Sequence, residues 1–284
     1  MHSLKDIRRR IDASKGTQKV TRAMKLVAAA KLRGVQDKAL AGKAYSSAIY
    51  DSVTRVSRRL GTLAPGLWRR PLSLDLIDVI VLTSDRGLCG GFNENLLRTL
   101  EEGIEDHVTH NIGVKLYVVG RKGFKYLEQR GYDVELLELG GDREASIDEV
   151  VERMCERYLS RESSGCNIGF NKFVSAGRQR ITFWNMLPLY HIGDKSERFK
   201  EYAYEPDRDD ALNALAKESL RSSLRQAILE SEASEQAARM TAMDGATKNA
   251  DDMIAHLTSV YHKARQEEIT SELMDIVNGA EALR

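Results

Sequence analysis

Apolar residues at the two ends of the chain recur on an alternating three–four spacing. Leu4, Ile7 and Ile11, then Ala28, Leu32, Val35 and Ala39, then Ile49, Val53, Val56 and Leu60 share one grid, the pattern of a helix with a heptad seam. The grid breaks between Ser14 and Lys25, where Val20, Met24 and Val27 carry the apolar face; this reads as a stutter that alters the supercoil. Ser3 is positioned as N-cap, with Asp6 three residues on. A helix over 3–58 would be about 85 Å long. The far end repeats the pattern. Leu212, Leu215, Leu220, Leu224 and Ile228, then Met240, Met243, Met253, Leu257, Val260 and Ala264, then Leu273, Ile276, Val277, Ala280 and Leu283 form a stripe, with Asp209 and Asp210 where a helix dipole favours acids. At full length that helix would run about 110 Å. Gly245 interrupts its interior, and small residues dominate between Ser231 and Ala250.

Between these flanks the pattern changes type. Leu76–Leu82 is a continuous apolar run, a buried strand, followed by a glycine loop and a helical stretch over 93–106. Val114–Val119 predicts a second strand with a helix over 121–130, and Tyr132–Leu139 a third with a helix near 146–160. Asn167–Ser175 and Arg180–Leu189 read as two strands turning at Ala176-Gly177. Strand–helix alternation predicts a mainly parallel, open α/β sheet, Rossmann-like, ending in a hairpin. Glycine and proline place the boundaries: all four prolines and 16 of 21 glycines lie between 61 and 206. The division is therefore 1–60 and 207–284 as coiled-coil helices around a 61–206 α/β domain.

Charge sharpens this picture. The 284 residues carry a formal net charge of only +1. Residues 1–60 nevertheless hold 15 Lys+Arg against 4 Asp+Glu, and residues 205–284 hold 9 against 16. Opposite charge on two long apolar-striped helices predicts an antiparallel coiled coil, paired along most of 1–58 and 209–283. No run of about 18 apolar residues is present, so no membrane insertion is expected. The N-terminus lacks a secretory h-region, and Asp6 and Asp12 argue against a transit peptide. Cys89, Cys155 and Cys166 have no metal spacing.

One motif sits where phosphate-binding loops sit: Ser84-Asp-Arg-Gly-Leu-Cys-Gly-Gly-Phe-Asn93, after a strand and before a helix. It is not Gly-x-Gly-x-x-Gly and has no Gly-Lys-Ser/Thr. Gly120-Arg-Lys stands where an acidic ribose ligand would end the second strand. A tight strand-to-helix turn, with Asn93 or Gly91 as cap, is the simpler reading, and Cys89 lacks a His or Asn constellation. The basic first helix spreads its cations round its circumference and has few aromatics, unlike a nucleic-acid surface. The residues by themselves describe a non-catalytic device, with a Rossmann-like nucleotide enzyme and a coiled-coil adaptor as rivals.

Three stretches resemble the gamma subunit of the rotary F-type ATP synthase: Gly16–Arg33 (GTQKVTRAMKLVAAAKLR), Ser84–Asn93 (SDRGLCGGFN), and Glu230–Met243 running on through Tyr261–Leu273 (YHKARQEEITSEL). They occur in that family's order and spacing. Two departures are His262 where Asn is usual and the variable pair Asp244-Gly245. The resemblance implies a central rotor shaft whose terminal helices enter a ring of three alpha and three beta subunits. It implies a foot beside the epsilon subunit and the c-subunit ring, at the cytoplasmic face of a bacterial membrane, with the matrix side of a mitochondrial one as the alternative, with no cofactor or metal and catalysis left to the beta subunits. It places Met24, Arg265, Gln266, Thr270 and Glu272 against the catalytic ring, and Tyr202 and Glu205 at the foot against the c ring. The short Leu189–Asp209 connection lacks the regulatory cysteine pair of chloroplast relatives.

Overall fold

The computed structural model describes residues 4–60, 64–189, 202–205 and 207–281. Five strands, five α-helices and a short 3-10 turn follow in chain order: α1 (Leu4–Leu60), the turn Gly66–Trp68, β1 (Leu76–Leu82), α2 (Phe92–Thr109), β2 (Gly113–Val119), α3 (Arg121–Glu128), β3 (Val134–Leu137), α4 (Arg143–Leu159), β4 (Gly165–Ser175), β5 (Arg178–Leu187) and α5 (Arg208–Glu281). The expected N-cap Ser3, and the side chains of Val277, Ala280 and Leu283, lie outside the described residues. The chain forms two compact units, one of Met1–Ala29 with Arg239–Arg284 and one of Ala30–Ala238. Each terminal helix contributes to both.

In the larger unit the strands lie in the order β3-β2-β1-β4-β5. The first four are parallel and β5 returns antiparallel to β4. β1 is central, and its Ile-Asp-Val-Ile-Val-Leu run is buried throughout, as a strand covered on both faces must be. Ile77, Val79 and Val81 pack with Leu116 and Val118 against Leu96, Leu97 and Leu100 of α2 and Leu127 of α3. Ile80, Tyr117, Ile168 and Phe170 face the other way, into a core shared with Ile147, Val151 and Met154 of α4, Val53 and Val56 of α1, and Leu220 and Leu224 of α5. Trp68, 1% exposed, closes that core; its indole N–H donates to the Leu212 carbonyl at 3.2 Å, satisfying the one polar atom of a buried indole.

Local chemistry explains the ends. Asp142 caps α4, accepting from the amides of Glu144 at 3.1 Å and Ala145 at 3.3 Å. Asp207 caps α5, accepting from the Asp209 amide at 2.9 Å. Asp209 and Asp210 stand where the helix dipole favours acids, but the cap itself is Asp207, which the sequence pattern does not single out. A ladder of ion pairs ties α4 to α5: Lys217 to Glu152 at 2.6 Å, Arg221 to Asp148 at 2.5 Å, Arg225 to Glu144, and Arg143 to Glu232 at 2.6 Å. Three cations of α5, Lys217, Arg221 and Arg225, are thus taken up by α4.

Candidate functional site

The glycine loop lies at the carboxyl end of β1, where the chain turns outward to β2 on one side and β4 on the other. In open α/β sheets this switch point is the usual ligand crevice. Here the loop's own polar side chains are hydrogen-bonded to one another. The Ser84 amide donates to Asn93 Oδ1 at 3.0 Å, Asn93 Nδ2 donates to Ser84 Oγ at 2.7 Å, and Ser84 Oγ donates to the Arg86 carbonyl at 2.8 Å. The Cys89 thiol, 2% exposed, sits beneath that network, with Asn93 Nδ2 at 3.6 Å. From β4, Asn171 Nδ2 donates to the Phe92 carbonyl at 3.0 Å. Leu88 at φ 64° and Gly90 at φ 58° make the reversal. The amide and amide side chain that could meet a phosphate are thereby engaged with each other. Burial pushes the Cys155 thiol up to about 11 and raises that of Cys166 further, so both stay protonated at neutral pH. Among the described residues no cluster of His, Cys, Asp and Glu could hold a metal ion, and no helix is long and apolar enough to cross a membrane.

In the smaller unit α1 packs on α5, and the seam differs from the sequence reading. The alternation 7, 11, 14, 18, 21, 25, 28 runs without interruption, every one of these positions being buried or half-buried. No stutter occurs. Ser14, Gln18, Thr21 and Lys25 continue the seam with polar side chains: Gln18 donates to Asp251, Thr247 Oγ1 donates to Thr21 Oγ1 at 2.8 Å, and Lys25 Nζ meets Asp244 Oδ1 at 2.6 Å. Lys25 and Lys248 together hold the Asp244 carboxyl below its ordinary range. Val20 and Val27, expected in the seam, are instead 59% and 56% exposed. With half-buried Met24 between them, they form a separate outward stripe at i, i+4, i+7 spacing. Arg8, Arg9, Arg10, Lys15, Lys19 and Arg22 are exposed around it.

Beyond Ala264 the described side chains of α5 are exposed without exception as far as Ile276. The last seam-like residues of the sequence reading, Leu273 and Ile276, are 57% and 68% exposed, because α5 outruns the first turn of α1 in the register that the Thr21–Thr247 contact sets. Met253 and Val260 also face outward, at 52% and 39%. Arg265, Gln266, Thr270 and Glu272 are brought together within two turns of this end. They flank an apolar stripe of Ile269, Leu273 and Ile276, of which the sequence periodicity places Leu273 and Ile276 in the coiled coil. Thr270 Oγ1 donates to the Gln266 carbonyl at 2.8 Å, tying one polar side chain to the helix. Met24 belongs to the same unit, whereas Tyr202 and Glu205 belong to the other. Both of these are exposed, and the Arg59 guanidinium stacks 4.0 Å from the Tyr202 ring centroid. This cation–π contact had no signal in the sequence.

The family model described as ATP synthase matches residues 3–283. The ATP synthase gamma chains of Geobacter metallireducens and Chlorobaculum tepidum are each 38% identical to this chain, and that of Anaeromyxobacter sp. is 37% identical, over all of both chains in every case. In fold, the chain is similar to one in the OSCP/F1/c-ring structure of Euglena gracilis mitochondrial ATP synthase, with a TM-score of 0.70, 20% identity, and 99% of this chain and 94% of that one covered. It is likewise similar to one in the central stalk/c-ring structure of Tetrahymena thermophila mitochondrial ATP synthase, with a TM-score of 0.60, 22% identity, and 80% and 99% covered. Two long terminal helices around a mainly parallel sheet, matched end to end by these relatives, show that the chain belongs to the ATP synthase gamma chain family.

Proposed function

We propose that the chain is the central shaft of an F-type ATP synthase, transmitting rotation between a c-subunit ring and the catalytic ring of three alpha and three beta subunits, with an epsilon subunit at its foot. The carrying observation is end-to-end identity of 36–38% to bacterial ATP synthase gamma chains. The exposed end of α5 gives that likeness a physical counterpart: an amphipathic helix end with no partner of its own among the described residues. Such a shaft acts by differential contact. A ligand or subunit shifts a conformational equilibrium only by the difference in its affinity for the two states, and an asymmetric helix pair turning in a ring offers each beta subunit a different face in turn. In this reading Met24, Arg265, Gln266, Thr270 and Glu272 contact the catalytic ring, Tyr202 and Glu205 contact the c ring, and the chain does no chemistry. Its place is peripheral, at the cytoplasmic face of a bacterial membrane, in line with the bacterial relatives.

Affinity purification of the tagged chain with subunit stoichiometry tests the assignment. One copy per three alpha and three beta subunits is expected; recovery without them overturns it. The non-catalytic part is tested separately by calorimetry with ATP on the purified chain. No saturable binding is expected at micromolar nucleotide, and a one-to-one isotherm would return the glycine loop to consideration as a nucleotide site.

A further inference from the structure

The polar run in the α1–α5 seam does more than interrupt an apolar interface. On its two sides the seam is made of Ile7 and Ile11 at one end and Ala28 and Met243 at the other, all at most 8% exposed. Apolar side chains discriminate poorly between registers by themselves, since a heptad shift replaces one apolar pair by another. The polar contacts do discriminate. Gln18 is opposite Asp251, Thr21 opposite Thr247, and Lys25 opposite Asp244. Sliding the helices by one heptad in one direction sets Gln18 opposite Asp244 but Ile11 opposite Asp251. Sliding them the other way sets Lys25 opposite Asp251 but Leu32 opposite Asp244. Each slip brings one carboxylate against an aliphatic side chain that is now 8% or 7% exposed. Asp251 is exposed and Asp244 half-buried, so the penalty is the loss of each carboxylate's polar partner together with a charge set against apolar surface, which is unfavourable.

We propose that Gln18, Thr21 and Lys25 of α1 with Asp244, Thr247 and Asp251 of α5 form a register lock, in which the two aspartates select one antiparallel alignment by penalising both neighbouring ones. A polar residue at a seam position fixing register at a cost in stability is a known device of coiled coils. The lock rests on this chain's own contacts and stands or falls independently of the shaft reading. Its relevance to a shaft is geometric. A one-heptad slip would move Met24 by about 10 Å relative to the end of α5, separating the two stretches expected to face the catalytic ring.

The test uses disulfide trapping in the full-length chain, whose native cysteines are buried. One heptad along from Thr21 and Thr247, Ser14 faces Ile254, so Ser14→Cys with Ile254→Cys reports the native register. Ser14→Cys with Tyr261→Cys, and Ile7→Cys with Ile254→Cys, report the two slipped ones. With the lock intact, the native pair should close at least tenfold faster than either slipped pair. In an Asp244→Ala, Asp251→Ala background the slipped pairs should gain about tenfold. A charge swap, Lys25→Asp with Asp244→Lys, should keep the native pattern. A second background, with Gln18, Lys25, Asp244 and Asp251 changed to Leu and Thr21 and Thr247 to Val, should give slipped cross-links with no fall in thermal midpoint. If both relaxed backgrounds still trap only the native pair, register is set elsewhere and the proposal is wrong.

Discussion

A glycine-to-alanine change has opposite signs at two positions in this chain. Gly120 ends β2 at φ 101°, and a Cβ there would stand 2.3 Å from the Thr83 carbonyl oxygen. Thr83 cannot retreat, because its hydroxyl accepts from the Gly123 amide at 3.1 Å and donates to the Val119 carbonyl at 2.9 Å. Gly120→Ala should therefore cost about 2–4 kcal/mol in denaturant unfolding, from combined backbone strain and overlap. Gly245 lies in the interior of α5, where a Cβ would meet nothing within 4 Å. Gly245→Ala should stabilise the protein by about 0.5–1 kcal/mol through helix propensity. A loss of stability at 245 would mean that the helix needs a flexible point there. The thiols also follow from burial: Cys89, Cys155 and Cys166 should react with a thiol reagent only on unfolding, and stoichiometric labelling of the native chain would contradict their placement.

At the scale of elements, the ladder between α4 and α5 sets a pH dependence. The Arg225 guanidinium holds the Glu144 carboxyl below its ordinary 4.5, and Arg153 does the same for Glu135 on β3. A carboxyl with a lowered folded-state pKa contributes stability that is fully present above its unfolded value and is lost as pH falls through the folded one. The α4–α5 contact should thus be indifferent to pH near neutrality and loosen below 4.5. Hydrogen exchange of α4 would show this, and Glu144→Gln should flatten the slope. At the seam, Leu32→Asp would bury an unpaired charge, costing several kcal/mol, and unchanged stability would mean the position is wetter than its 7% exposure. The same elements show what the chain discloses in one dimension. The five strands and five helices were legible because each shows its own local signal, a helical period or a short apolar run, and β1 and α2 fall within a few residues of expectation. The seam over 14–25 was not, because a polar residue in a seam looks like the end of the seam until its partner from a distant stretch is known. Asp244 and Asp251, more than two hundred residues away, turn Lys25 and Gln18 from a break into a contact. Likewise the stripe of Leu273 and Ile276 has the right period for a coil, and only the offset between the helices reveals that α1 does not reach it.

On the scale of the whole molecule, that unmatched end is where the chain's own folding and its assembly come apart. Ile269, Leu273 and Ile276 are 44%, 57% and 68% exposed, so replacing all three by Ser should leave the isolated chain's unfolding midpoint nearly unchanged, since exposed substitutions are usually worth within about 0.5 kcal/mol. If the proposed ring encloses this end, the same side chains become buried. Covering each is worth up to about 1.5–3 kcal/mol, whereas each polar contact of Arg265, Gln266, Thr270 or Glu272 nets about 0.5–1.5 kcal/mol. The triple serine variant should therefore weaken incorporation into the complex more than Arg265→Ala with Gln266→Ala does. The polar pair should act differently. Apolar contact is non-directional and tolerates rotation within a sleeve, while hydrogen bonds are directional and must break and re-form as the shaft turns. Arg265→Ala with Gln266→Ala should then reduce the coupling of ATP hydrolysis to ion pumping in reconstituted vesicles at near-normal assembly. If the double variant assembles and pumps as the unmodified chain does, those residues are solvated surface, and contact with the ring is carried by the apolar stripe alone. If the triple serine variant also assembles normally, the end of α5 is not enclosed by the ring at all.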